Sequence, residues 1–291
     1  MATSTATSSE PLKRSPQGNT TSTTTTSNAS PSKKAFIVRP ARLADLPILA
    51  IHHLGAFQDN VVNKFLAPNG HAHPEDQIRV HLQGIQKRYT NPAGITLVAC
   101  PASDPNAPIA YAQFSRVGSE SGVRAVVREK GLVRRAWLWL LAWVFWAWHA
   151  VSNWVWKDRV TDFERVRMFG SYVAADHETY WNSTKRPTWR DRWALSCMVV
   201  GKQWQGQGVG KLVLRELVER SERENVIVAL SASPHGEHLY RKLGFELMGD
   251  FSTRLPGETD LRGGIMIRYP ERWEGERHEK YIGYFDLHRG E

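Results

Sequence analysis

Apolar residues recur along this chain in short runs separated by polar turns, and the period of each run predicts its element. Phe36 to Arg39 is a strand-length run closed by Pro40, and Asp45 to Phe57 reads as a helix with Pro47 in its first turn. Pro74 to Arg88 reads as a second helix, with Glu75 and Asp76 at its positive end. Small and β-branched residues from Gly94 to Cys100 predict a strand, Pro101 to Pro108 a turn, and Ile109 to Arg116 the returning strand of a hairpin. After a long interruption, Trp193 to Val200 reads as a strand, Gly208 to Glu222 as a helix and Val226 to Ser231 as a strand. Pro234 to Leu243 is a short helix closed by Gly244, and Phe245 to Phe251 and Gly264 to Tyr269 are two final strands. This order predicts an α/β fold, a mixed central sheet with helices on both faces.

The flanks differ from this core. Residues 1–34 are mostly Ser, Thr, Ala, Asn and Pro, too polar to offset their ordering entropy, and are expected to form a disordered tail. One domain is expected over residues 35–270, with an insertion at 117–190, followed by a C-terminal tail at 271–291 that is either docked or loose. Within the insertion, Ala136 to Trp156 carries no charge and holds Trp137, Trp139, Trp143, Trp146, Trp148, Trp154 and Trp156. Arg134 and Arg135 precede it, and Lys157 to Arg159 follow. As a helix this stretch spans roughly 30 Å, enough by length alone to cross a bilayer. Topology opposes a crossing, because the strands on either side belong to one sheet. His149, Ser152, Asn153 and the interfacial preference of tryptophan oppose it too. Three uses stay open for residues 136–156: a helix lying on a membrane surface, a lid over an apolar acceptor, or a contact within the core or between two copies.

Composition narrows the partners. The chain has 291 residues and a net charge of +9, which suits cofactor phosphates or acidic lipid. Its Lys and Arg residues are scattered and no zinc-finger spacing occurs, so no nucleic-acid partner is expected. Cys100 and Cys197 sit in apolar runs and read as buried thiols, and without CxxC or HExxH spacing no metal is expected. No apolar signal core opens the chain, so a cytoplasmic location is expected, with membrane contact at most peripheral.

The stretch that carries chemistry is Gln205-Gly206-Gln207-Gly208-Val209-Gly210, between a predicted strand and a predicted helix. Glycines there let backbone amides converge on an anion, and the helix start adds free N–H groups and a favourable dipole. The spacing is GxGxG rather than the dinucleotide GxGxxG, and no Gly-Lys-Ser/Thr follows.

Together with Leu239-Tyr240-Arg241-Lys242-Leu243-Gly244-Phe245, this segment resembles the GCN5-related N-acetyltransferase (GNAT) family. The first stretch matches that family's Arg/Gln-x-x-Gly-x-Gly/Ala signature and the second its Leu-Tyr-x-x-x-Gly-Phe segment, in the family's order. Leu230 to Gly236 looks like the linker of fungal members. The resemblance covers about Phe36 to Tyr269. It implies acetyl-CoA as cofactor, with its pyrophosphate on amides around Gln205, Gly206, Gln207, Gly208, Val209, Gly210 and Lys211. It implies a pantetheine arm along Met198, Val199 and Val200, where two parallel strands splay, with Ser233, Gly236 and Tyr240 on the other side. Tyr240 is the expected general acid at the sulfur, and a backbone N–H near Met198 to Val200 the oxyanion donor.

The general base departs from the pattern. Some family members place a Glu on or near the first splayed strand, and Trp193 to Val200 holds no carboxylate. Ser196 anchoring a water is the expected substitute, with Asp176, His177, Glu178, His235 and His238 as further candidates. Cys197 has no evident His partner in the sequence, so direct transfer in a ternary complex is expected over a covalent thiol route. The implied activity is acetyl transfer to the primary amine of a small molecule, apolar if the tryptophans shape its pocket. A protein or peptide acceptor, or a non-catalytic acyl-CoA-binding protein at a membrane, are the alternatives.

Overall fold

The computed structural model describes residues 35–182 and 186–282. The expected tail at 1–34 and residues 283–291 of the expected C-terminal tail lie outside them. The elements run β1 (Phe36–Pro40), α1 (Leu46–Phe57), α2 (Val61–Leu66), α3 (Pro74–Tyr89), β2 (Gly94–Pro101) and β3 (Ala110–Val117). Three helices follow: α4 (Glu120–Glu129), α5 (Gly131–Val155) and α6 (Phe163–Tyr180). The chain then re-enters the sheet through β4 (Arg192–Val200), α7 (Val209–Glu224), β5 (Ile227–Ala232), α8 (Pro234–Arg241), β6 (Glu246–Gly249) and β7 (Gly264–Arg268).

The seven strands form one sheet in the order β1-β2-β3-β4-β5-β7-β6. Every neighbouring pair is antiparallel except β4 and β5, which are parallel. Pro40 does not stop β1 but ends inside it, paired with Leu97. An edge strand tolerates the missing N–H. The helix α2 has no counterpart in the sequence reading. It is six residues long, with Asn60 accepting from Val62 N at 2.8 Å, and is too short to show a period.

Apolar faces account for the layers. On one side of the sheet Val209, Val213, Leu214 and Leu217 of α7 pack with Leu97, Phe114, Trp193 and Val228. On the other, Leu46, Leu49 and Ala50 of α1 and Ile85 of α3 pack with Val98, Cys100, Tyr111 and Val199. A third cluster joins Trp181 and Trp189 to Ile265, Ile267 and Tyr269. The start of the C-terminal segment docks on it, with Trp189 Nε1 donating to the Glu276 carbonyl at 3.0 Å and His278 N to Tyr269 Oη at 2.9 Å. Buried Arg116 of β3 ties these layers, pairing with Asp191 ahead of β4 and with Glu224 at the end of α7 (3.0 Å).

Helix α5 buries one stripe. Leu138, Leu141 and Ser152 are buried, and Phe145 and His149 are partly so, which is the 3–4 spacing of a single face. That stripe lies on α3, where His149 Nε2 meets Gln86 Oε1 at 2.7 Å and Gln83 Nε2 donates to Asn153 Oδ1 at 2.8 Å. None of the tryptophans from Trp137 to Trp156 is buried. They do not form a lid that closes inward.

Candidate functional site

The parallel pair defines the site. Ladder pairing joins Arg192, Trp193 and Ala194 to Ile227, Val228 and Ala229 and goes no further among the described residues. Just beyond the last pair, β4 bulges. Cys197 faces Gln113 and Leu195 faces Phe114, so Ser196 is the extra residue, and it is exposed. From there to Val200 the β4 edge turned toward β5 has no strand beside it among the described residues, and the alternate amides on that edge, those of Met198 and Val200, are turned away from β3.

Past Gly201 a 3-10 turn, Lys202–Trp204, leads into the glycine segment. Gly206 and Gly208 have φ of 74° and 80°, the left-handed region that side chains avoid. No atom lies within 4 Å of a Cβ added at either, so both are needed for backbone angle rather than room. Gly210 differs. It is buried, and a Cβ there would lie 2.8 Å from Met198 Cε and 3.0 Å from Leu239 Cδ2, so it permits the close approach of α7 to β4 and α8. No side chain caps α7, whose first-turn amides therefore stay open beside an exposed Lys211 without a partner among the described residues. The amide side chains of the turn are engaged locally: Gln205 Nε2 donates to the Val200 carbonyl at 3.0 Å and Gln207 Nε2 to the Gln203 carbonyl at 2.9 Å.

Across the splay, α8 presents Tyr240. Its ring is buried, packed against Phe245, and its hydroxyl has no hydrogen bond among the described residues. Burial first, and then the negative charge that Cys197 takes on only as a thiolate, push its pKa well above the ordinary phenol range, so the proton stays on Oη. A Cβ at Gly236 would come within 3.1 Å of the Tyr240 ring, so this glycine makes room for the tyrosine. Ser233 accepts from Gly236 N at 3.3 Å and starts the helix that carries both.

Beneath β4, on the α1–α3 side, lies a polar cluster. Tyr111 Oη is 2.7 Å from His53 Nδ1 and 3.4 Å from Cys197 Sγ, and Cys197 Sγ is 3.7 Å from His53 Nδ1. The His81 ring stands 4.3 Å from that of His53, and its buried Nε2 has no hydrogen bond among the described residues. Burial, with His81 and Arg88 as positive neighbours, pushes His53 down to about 3, and burial with Arg88 pushes His81 down to about 4. Burial raises Cys197 and raises Tyr111 well above its usual value. The four groups are neutral at neutral pH.

A family model for the acetyltransferase (GNAT) domain matches residues 164–247, from α6 through the glycine turn and Tyr240 to β6. The fold is that of the GNAT acetyltransferases. The matched segment is similar to the acetyltransferase domain of that family. No curated protein matches the chain. Structural neighbours include a histone acetyltransferase HPA2 and related acetyltransferase from Corynebacterium glutamicum, with TM-score 0.47, 18% identity and coverage of 81% of this chain and 97% of that one. A GNAT-family N-acetyltransferase from Escherichia coli in complex with CoA aligns at TM-score 0.40 and 13% identity over 82% of this chain and 83% of its own. A predicted acetyltransferase from Clostridium acetobutylicum with acetyl-CoA aligns at TM-score 0.38 and 15% identity over 77% and 96%. At these values the neighbours add no argument to the family match. All three are bacterial, and they lend no support to the fungal likeness expected at Leu230 to Gly236.

Within the GNAT fold, the expected bases outside β4 lie in other settings. Asp176 accepts from Ser252 N at 2.6 Å, His177 Nε2 accepts from Arg192 at 2.9 Å, and Glu178 accepts from Asn182 at 3.0 Å. Arg192 opens β4, at the end away from the splay. His235 and His238 are exposed on α8. Sequence reasoning missed His53, His81 and Tyr111, since nothing in the spacing of two helix histidines and a hairpin tyrosine signals a shared cluster. A cavity of about 670 Å³ between β1–β2 and α4, α5 and α7 is lined by none of the expected site residues.

Proposed function

We propose that this protein is an acetyl-CoA-dependent N-acetyltransferase that moves the acetyl group to the primary amine of a small molecule by direct transfer in a ternary complex. The observation that carries the reading is the parting of β4 from β5 after Ala194, beside the uncapped start of α7 reached through two left-handed glycines. The free amides of the first α7 turn and Lys211 fit a pyrophosphate, and the amides of Met198 and Val200, which alternate with the β3-facing amides of Val199 and Gly201, fit a pantetheine arm and an oxyanion. Gln205 and Gln207 shape the turn rather than extend from it. Bound acetyl-CoA supplies a thioester activated toward attack by an amine.

The chain's own groups handle protons. Tyr240 holds a proton at Oη and is placed to return it to a departing thiolate. Exposed Ser196, on the bulge, is placed to hold the water that takes the amine's proton. Cys197 now has a histidine nearby, but both are held neutral by burial, so a thiolate–imidazolium pair does not form and direct transfer is favoured. The tryptophans of α5 do not support an apolar acceptor, because they face outward.

Calorimetry of the full chain with acetyl-CoA, followed by an amine screen read as CoA thiol release, tests this. One-site binding is expected. Tyr240→Phe should bind acetyl-CoA nearly as well and turn over about 10²-fold more slowly. A folded chain that binds no acetyl-CoA would overturn the reading.

A further inference from the structure

The helix α5 is apolar on the faces that the protein leaves bare. Its inner stripe occupies α3, and the rest carries Trp137, Trp139, Trp143, Trp146, Trp148 and Trp154, with relative exposures from 50% to 87%. Leu132, Val133, Leu140, Val144 and Val151 are exposed among them. Among the described residues these tryptophan rings stack on each other, as in the Trp139–Trp143 and Trp143–Trp146 pairs at 6.1 and 5.6 Å. So much apolar surface in one place marks an interaction face.

Three observations select its occupant. No helix among the described residues is long and apolar enough to cross a membrane. The strands β3 and β4 on either side of the helical excursion pair directly with each other, so the chain leaves and re-enters on one side. Finally, the composition and charge are those of a lipid interface. Tryptophan favours the headgroup level over any deep core. Between Gly131 and Lys157 there is no acidic residue, and Arg134, Arg135 and Lys157 at its ends are exposed, with no ion pair or hydrogen bond among the described residues. Arg128 of α4 and Arg167 of α6 are likewise exposed and unpaired there. A second copy would bring this uncompensated positive charge against itself, whereas an anionic bilayer would neutralise it.

We propose that α5 lies in the plane of an anionic bilayer surface, tryptophans inserted at the headgroup level, and holds the domain there as a peripheral protein. In an ordinary in-plane helix water covers the polar face. Here α3 covers the remaining stripe instead, so the helix docks as part of a rigid body.

The test is flotation of the full chain with phosphatidylcholine vesicles, with and without phosphatidylserine, alongside quenching of tryptophan emission by acyl-chain-brominated lipid. Binding to the phosphatidylserine vesicles, weakened by salt, with quenching, is expected. The triple change Trp139→Ser, Trp143→Ser, Trp146→Ser touches only exposed positions and should cut the bound fraction about tenfold or more. Arg134→Glu with Arg135→Glu and Lys157→Glu should remove the preference for phosphatidylserine. Circular dichroism and acetyl-CoA binding report that the variants are folded. A folded full chain that does not float, or floats equally well with the tryptophans replaced, overturns the proposal. So does a dimer in light scattering that the tryptophan variant dissociates without any flotation, which would assign the face to a second copy.

Discussion

The three glycines of the turn look equivalent in the sequence and are not equivalent in the fold. Gly208 is fixed by its backbone angle with open space around it, whereas Gly210 is fixed by Met198 and Leu239 against it. Gly208→Val should therefore act first on the ligand. It strains the left-handed residue by about 1–2 kcal/mol and should weaken acetyl-CoA binding by about tenfold, measured by calorimetry. Gly210→Ala should act on stability, costing about 1–3 kcal/mol by overpacking, measured by urea unfolding, with Met198 free to yield part of that. The motif was legible because its spacing is a backbone requirement. The division of labour within it was not, because dihedral angles and facing atoms belong to the folded chain. The same holds for His53, Tyr111 and Cys197, which lie 58, 86 and 144 positions apart pairwise and meet only when the sheet forms.

Among the elements, strands were readable as short apolar or β-branched runs bounded by turn residues, even where both faces are buried, and the helices outside the insertion by their period. The helix α5 shows where that fails. Its apolar residues surround the axis, so the period has no polar reference, and only packing on α3 reveals Leu138, Leu141 and Ser152 as the inner stripe. The bulge at Ser196 was also hidden, since a one-residue shift between β3 and β4 leaves no mark in composition. Arg116 was read only as the end of a strand, yet it is a buried joint between β3, α7 and the approach to β4. Glu224 also accepts from Trp193 Nε1 at 3.1 Å. Arg116→Ala should destabilise the protein by about 1–3 kcal/mol, chiefly through the lost buried guanidinium bonds, because Asp191 and Glu224 are partly exposed and keep Ser119 N and Trp193 Nε1 as partners. Urea denaturation of the purified variant reads this directly.

At the scale of the whole molecule, burial of His53 and His81 couples the fold to acid. Both groups sit below the ordinary histidine value of 6.5, at about 3 and about 4, so the unfolded chain binds protons that the folded chain refuses. Stability present above pH 6.5 is thus lost progressively as pH falls toward 4. The melting temperature should be lower at pH 5 than at pH 7, and His81→Gln should narrow that gap in differential scanning fluorimetry.

The sheet itself is two antiparallel leaves, β1 to β4 and β5 to β7, and the seam between them is only three residue pairs long. Such a seam works as a spine in a bound book. The leaves are joined at one end and part at the other. Packing of α7 over the seam, through Gly210 and Val213, keeps the pages from separating. Whatever fills the gap between them therefore becomes a structural part of the sheet, supplying the row of backbone partners that β5 withholds from β4.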